Sequence, residues 1–162
     1  MKTVLVIFDC DGVLIDSKVI SARMLIAGLK GYGIDMDMAF VSRHFPGRSY
    51  PAVLREVRER WGVALPERFE ADCRARLLAA FEQGLTPMAG VAGVFAALGP
   101  PCCLATSSSP ARLRRSPDIT GLAPLFEGVC FTASQVTRGK PAPDLFLHAA
   151  PGWVQTRPGG PG

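Results

Sequence analysis

The sequence has few of the features that build disulfide frameworks, zinc sites or membrane spans. It contains five cysteines, an odd number, with no CxxC pair and only two histidines, so neither a disulfide framework nor a zinc site is readable. The first apolar stretch ends at Asp9 and is too short for a signal peptide or a membrane span. These absences predict a reduced, cytoplasmic protein with no membrane partner.

The chain also lacks a concentrated run of one charge. Its 18 basic and 14 acidic residues give a formal net charge of +4, a balance compatible with an anionic ligand. In REVRERW (55 to 61) and PERFEADCRAR (66 to 76) the two signs alternate, which is typical of a solvated helix face. Because nucleic-acid binding usually shows a clustered basic stripe, we expect no nucleic-acid partner.

The composition that remains is that of a globular protein. Hydrophobic residues make up 48% and charged residues 20% of the 162 residues. This length suffices for one core-forming domain with a small insertion, and it is too short for two domains of typical size.

Three short apolar runs predict strands: TVLVIF (3 to 8), CCLAT (102 to 106) and GVCFTA (128 to 133). Helical patterns occupy the segments between and after them: 18 to 84, 91 to 98, from 110 onwards, and 143 to 150. Within the longest of these, Phe69, Cys73, Leu77 and Phe81 recur every four residues, which indicates one buried helix stripe. The order predicts an α/β fold: a Rossmann-like parallel sheet interrupted once by an all-helical insert.

Polar residues follow two of these predicted strands. Asp9 and Asp11 come directly after the first, where open α/β folds bind ligands, and Gly12 allows a sharp turn beside them. Thr106 ends the second strand. Taken singly, the two aspartates are explained by a loop cap, Thr106 by its strand, and Lys140 by a solvated loop.

The wider pattern is more specific. FDCDGVLIDS (8 to 17), LATSSSP (104 to 110) and GKPAPD (139 to 144) occur in this order, with the helical insert between the first two. This resembles the haloacid dehalogenase superfamily, in its sugar-phosphatase and beta-phosphoglucomutase-like branch with a helical cap, over residues 1 to about 150. The resemblance implies a discontinuous core of 1–16 and 86–150 and a cap of 17–85.

The resemblance also implies the chemistry of the aspartates. Asp9 would be the nucleophile that forms an aspartyl-phosphate, and Asp11 would be the general acid and base. The Asp9 carboxylate and the Asp11 backbone carbonyl would bind Mg²⁺, a cation that prefers oxygen ligands. The implied function is a Mg²⁺-dependent phosphatase of small phosphorylated metabolites, sugar or sugar-acid phosphates; a phosphomutase of the same family is the alternative.

The remaining implied site residues would bind phosphate and substrate. Thr106 would donate its hydroxyl to a phosphate oxygen, helped by the backbone amides of Ser107 and Ser108 near a helix start. Lys140 would offset phosphoryl charge as a point cation. In the cap, the loop HFPGRS (44 to 49) offers Arg48 as a substrate contact, with His44 second; a solvated arginine in a helix-helix turn explains Arg48 about equally well.

The end of the chain departs from the family pattern. The last twelve residues, 151–162, contain three prolines and four glycines, so we expect the preceding helix to stop before them. We interpret them as a disordered, aberrant tail. Our hypothesis is that this tail is a frameshifted or misread continuation. The family's fourth motif, an acidic pair that completes the metal site, is not present, which leaves an inactive fragment as another alternative. A monomer is expected for the family, with association possible at the uncovered edge of the first strand.

Overall fold

The described part of the chain alternates strands and helices around one long helical stretch. In the computed structural model the described residues are 5–45, 48 and 50–156, with side chains described as far as Pro151. The described elements, in chain order, are β1 (Val6–Phe8), α1 (Lys18–Lys30), α2 (Met38–His44), α3 (Tyr50–Trp61), α4 (Phe69–Gly84), α5 (Val91–Ala97), β2 (Cys102–Thr106), α6 (Pro110–Thr120), α7 (Ala123–Phe126), β3 (Cys130–Thr132), a 3-10 turn (Ala133–Gln135) and α8 (Asp144–Thr156). None of the described helices is long and apolar enough to cross a membrane.

The chain divides into two compact units. The first, here called the core unit, contains the described residues up to Asp16 and those from Leu85 onwards. The second, here called the helical unit, is Ser17–Gly84 and contains α1 to α4. Each unit has its own buried side chains, and each is described separately below.

The core unit contains a parallel sheet. Within the described residues its three strands lie in the order β1-β2-β3, with Val6 opposite Cys102 and Thr106 opposite Thr132. This confirms the predicted parallel α/β fold. The described strands are shorter than the predicted runs, and residues 3 and 4 lie outside the described part. Because all three strands are parallel, their carboxyl ends meet at one edge, the position at which such sheets bind ligands.

Helices and aromatic side chains bury the sheet. α8 contacts all three strands, and its Leu145 and Ala149 are fully buried. Phe8 at the end of β1 packs against Phe95 of α5 and Phe126 of α7, with ring centroids 5.0 and 6.4 Å away. The cluster fixes the end of β1 just before the two aspartates.

α8 extends further than the sequence predicts. The helix was expected to end before Pro151, but it continues to Thr156, so residues 151–156 do not form the predicted disordered tail. A proline inside a helix removes only the one hydrogen bond that its own N–H would donate, although its ring also crowds the preceding turn. α6 likewise contains a proline, Pro117, inside its helix. The rest of the predicted tail, residues 157–162, lies outside the described residues.

The helical unit has an apolar core formed by its own helices. All four residues of the predicted stripe of α4, namely Phe69, Cys73, Leu77 and Phe81, are buried. α4 packs against α1, and the approach at Gly28 is close: a Cβ placed there would lie 2.9 Å from the Sγ of Cys73. The absence of a side chain at Gly28 therefore permits the close approach of the two helices.

Candidate active site

A tight turn after β1 presents the two aspartates at the sheet edge. The amides of Leu14 and Ile15 donate to the carbonyl of Cys10 at 2.9 and 3.2 Å, and the amide of Gly12 donates to the carbonyl of Ile15 at 2.8 Å. Gly12 has a φ of +73°, a left-handed conformation that glycine adopts without a steric penalty. Cys10 is buried between the aspartates, whereas the side chain of Asp9 is 41% exposed.

Lys140 lies beside Asp9. Its Nζ is 3.0 Å from Oδ1 of Asp9 and donates to the backbone carbonyl of Ala105 at 2.9 Å. The same Asp9 oxygen accepts from the amide of Cys10 at 2.8 Å. The lysine side chain is 18% exposed and is held between the ends of β1 and β2, so its charge is fixed next to the predicted nucleophile.

A second ion pair closes the loop that carries Lys140. Arg138 donates from Nε and Nη2 to the two carboxylate oxygens of Asp144, the first residue of α8, at 3.0 and 2.9 Å. This bidentate contact lowers the pKa of the Asp144 carboxyl. The pair joins the two ends of a short loop that contains Lys140.

Thr106 is fully buried at the end of β2. Its Oγ1 accepts a hydrogen bond from the amide of Ser108 at 3.1 Å. The sequence suggested this amide as a donor to phosphate. In the structure the amide donates to the threonine hydroxyl. Accepting this bond leaves the threonine its own hydroxyl proton to donate, while Ser107 is exposed in the bend that follows the strand.

Two donors from the segment that follows β2 hold the carboxylate of Asp11. Ser108 donates from Oγ to Oδ2, and Arg112 donates from Nη2 to Oδ1, both at 2.5 Å. Arg112 and the Ser108 hydroxyl were not singled out from the sequence. The position of Arg112 is a signal that could have identified it. Arg112 lies in the first turn of α6, the helix that begins shortly after β2, and its amide donates to the N-cap side chain of Ser109.

The thiol between the aspartates is not a nucleophile at neutral pH. Burial, followed by the charge of Asp11, raises the pKa of Cys10 to about 12. A buried cysteine with a raised pKa stays protonated, and the thiolate is the reactive form. A reactive thiolate at Cys10 is therefore disfavoured at neutral pH.

The oxygen atoms of the turn suit a hard cation. Among the described residues, no three His, Cys, Asp or Glu side chains form a metal-binding group. Mg²⁺ commonly takes one or two carboxylates and completes its shell with water and substrate phosphate, so two protein oxygens suffice for part of a site. The carboxylate of Asp9 and the backbone carbonyl of Asp11 are oxygen donors of that kind.

Arg48 lies in the helical unit. Its Nη1 pairs with Glu56 of α3, and Glu56 also pairs with Arg60 at 3.3 Å. His44, the second candidate, stacks on Phe40 with ring centroids 4.3 Å apart. The predicted loop around Arg48 includes residues 46, 47 and 49, which lie outside the described residues.

Comparisons with known proteins match the whole length over which these features occur. A model of the haloacid dehalogenase-like hydrolases matches residues 3–151. The 6-phosphogluconate phosphatase of Escherichia coli is 29% identical over 146 residues, which are 90% of this chain and 66% of that protein.

Two solved structures share both fold and sequence. A haloacid dehalogenase-like protein of unknown function from Agrobacterium tumefaciens has a TM-score of 0.79 and 30% identity over 91% of this chain and 67% of its own. A family hydrolase from Deinococcus radiodurans, solved with bound phosphate and sodium, has a TM-score of 0.68 and 30% identity over 91% of this chain and 66% of its own. The chain thus spans about two thirds of the length of these relatives.

Proposed function

The chain belongs to the haloacid dehalogenase-like hydrolase family, and we propose that it hydrolyses phosphate monoesters of small sugars or sugar acids through an aspartyl-phosphate on Asp9. The observation that carries this proposal is the pairing of Asp9 with Lys140 at the carboxyl ends of the parallel strands. A half-exposed carboxylate at that edge is accessible to a ligand, and a fixed ammonium group 3.0 Å away attracts an anionic one.

The first step transfers the phosphoryl group. A carboxylate oxygen of Asp9 attacks phosphorus, and the bond between phosphorus and the sugar oxygen breaks, with Asp11 giving a proton to that departing oxygen. In the second step Asp11 takes a proton from water as the water oxygen attacks phosphorus. The bond from phosphorus to Asp9 then breaks, and inorganic phosphate leaves.

Two fixed groups stabilise the phosphoryl group during both steps. Lys140 supplies a positive charge close to the attacking oxygen, and the buried hydroxyl of Thr106 has a proton to donate. Groups held in place before the reaction stabilise the developing charge without having to reorganise. The contact of Lys140 with the carbonyl of Ala105 is one source of that rigidity.

Asp9 and the carbonyl of Asp11 would hold Mg²⁺ beside the phosphate. The metal, when bound, offsets the repulsion between the anionic carboxylate and the anionic phosphate. Asp9 presents its second oxygen for this role, because Oδ1 already accepts from Lys140 and the Cys10 amide. The expected consequence is a reaction that requires a divalent cation.

Arg48 and one relative support the proposed substrate class. The 6-phosphogluconate phosphatase acts on a sugar acid, and Arg48 lines a groove of the helical unit with Arg55 and Arg60. An arginine there would bind the carboxylate or hydroxyls of the sugar after exchanging its contact with Glu56. Arg48→Ala should raise KM for 6-phosphogluconate and leave KM for 4-nitrophenyl phosphate unchanged.

The deciding experiment is release of phosphate by the purified chain with and without Mg²⁺. We expect Mg²⁺-dependent hydrolysis of 4-nitrophenyl phosphate and 6-phosphogluconate that is abolished in Asp9→Asn. Asp118→Asn is the matched control, since Asp118 is an exposed carboxylate on α6. A folded wild-type chain with no turnover, or with turnover that survives Asp9→Asn, would overturn the proposal and favour an inactive binding module.

A further inference from the structure

Both oxygens of the Asp11 carboxylate accept hydrogen bonds from other side chains. Arg112 donates to one oxygen and Ser108 to the other, both at 2.5 Å, from positions 101 and 97 residues further along the chain. The side chains of Arg112 and Asp11 are only 19% and 27% exposed. Exposed ion pairs contribute little because their side chains remain mobile, but this pair is largely shielded and is joined by a third group.

The two donors restrict the carboxylate in different ways. Arg112 is anchored in the first turn of α6, where its amide bonds to the N-cap serine. Ser108 is anchored by its amide, which bonds to the buried hydroxyl of Thr106. Because the two carboxylate oxygens contact two separately anchored groups, rotation of the carboxylate would break at least one bond. Asp11 is therefore held in one orientation beside the end of β2.

We propose that Arg112, supported by the hydroxyl of Ser108, is a positioning residue that orients Asp11 for proton transfer to the departing sugar oxygen. The inference rests on the proposed function, since it assigns Asp11 the proton-transfer role. Arg112 itself contacts neither phosphate nor sugar in this role; it acts through Asp11. A carboxylic acid delivers its proton efficiently only when it is held within hydrogen-bonding reach of the accepting atom.

This role has a distinctive kinetic consequence. A sugar oxygen is a poor leaving group unless it receives a proton as its bond to phosphorus breaks. 4-Nitrophenolate is a stable anion and leaves without a proton. The ratio kcat/KM reports the steps up to departure of the leaving group, so it isolates the step in which the proton is delivered. Loss of orientation at Asp11 should therefore lower kcat/KM for a sugar phosphate much more than for 4-nitrophenyl phosphate.

The test compares Arg112→Ala, Arg112→Lys and Ser108→Ala with the wild type on both substrates. We expect Arg112→Ala to lower kcat/KM for 6-phosphogluconate about 100-fold and for 4-nitrophenyl phosphate less than about 5-fold, in line with the size of general-acid contributions. Arg112→Lys, which keeps one charged donor, should restore part of the loss, and Ser108→Ala should show the same selectivity with a smaller effect. Arg114→Ala is the control, because Arg114 is an exposed arginine on the same helix.

The outcomes separate this inference from the proposed function. Equal losses on the two substrates in folded Arg112→Ala and Ser108→Ala, or no loss on either, would overturn the positioning role while leaving the phosphatase intact. Should Arg112→Ala not fold, the same comparison in Arg112→Lys and Ser108→Ala decides the question. A wild-type chain without Asp9-dependent turnover would overturn the proposed function and this inference together.

Discussion

The close contact between α1 and α4 predicts how Gly28→Ala changes the stability of the protein. In Gly28→Ala the new Cβ would lie 2.9 Å from Sγ of Cys73 and 3.6 Å from Cζ of Phe69. The first distance is shorter than a normal van der Waals contact, so the helices or the thiol must move. Cys73 and Phe69 are both buried in the core of the helical unit, which limits that movement.

Two opposing effects set the size of the change. Alanine is favoured over glycine inside a helix by about 1 kcal/mol. An extra methyl group forced into a packed core costs about 1–3 kcal/mol. In the wild-type background the two effects partly cancel, so the net change in the free energy of unfolding lies between about 0 and a loss of 2 kcal/mol.

A second substitution separates these effects. Cys73→Ala removes the sulfur atom that the new methyl group would meet and leaves a small space beside Gly28. In that background Gly28→Ala should stabilise the protein by about 1 kcal/mol, because the helix preference remains and the clash is gone. The expected coupling energy between the two sites is therefore about 1–3 kcal/mol.

Urea unfolding followed by far-ultraviolet circular dichroism measures all four proteins of this cycle. Gly84→Ala, in the last position of α4, is the control, since a Cβ there would lie 4.0 Å from Cδ1 of Ile20, an ordinary van der Waals distance. A Gly28→Ala change that is equally stabilising in both backgrounds would refute the close approach of α1 and α4 at this point.

Three further predictions concern the site and the two cores. Lys140→Met should lower kcat/KM about 100-fold or more, because it removes the charge fixed beside Asp9, and phosphate-release kinetics with Lys18→Met as control will measure it. Burial, followed by the neighbouring thiol of Cys102, raises the pKa of Cys103 from 9.0 to about 11. The unfolded chain releases this proton first as the pH rises, so the contribution of the Cys103 thiol to stability is complete below pH 9 and falls by about 2 kcal/mol towards pH 11. Urea unfolding at a series of pH values should show a fall that is smaller by about this amount in Cys103→Ala. Phe81→Ala, which empties a fully buried site in the helical unit, should cost about 3–5 kcal/mol in the same assay.

The sequence predicts the elements whose burial is periodic or continuous. The stripe from Phe69 to Phe81 is buried as its four-residue spacing requires, and the runs ending at Phe8 and Thr106 form paired parallel strands. Such patterns are readable because one face of a helix, or both faces of an inner strand, must leave water. The continuation of α8 through Pro151 was not readable, because local proline chemistry disfavours it.

The site was only partly readable for a different reason. The sequence singled out Asp9, Asp11 and Lys140 because they lie in short motifs. The partner of Arg48, Glu56, lies eight residues further along the chain on α3. Which arginine meets which carboxylate depends on tertiary packing. Alternating charges such as those around Glu56 offer several equivalent partners to any such arginine.

Arg112 shows how more of these contact residues could be predicted from the sequence. In a parallel sheet every strand delivers the chain to the same edge, so residues just after different strands become neighbours however far apart they are in sequence. Asp11 follows β1 by three residues, Arg112 follows β2 by six, and Lys140 follows β3 by eight. Arg112 pairs with Asp11, and Lys140 pairs with Asp9 two residues away in the same turn. Charged residues within about eight residues after each predicted strand are therefore candidates for one shared site, and a search of those positions would have included Arg112.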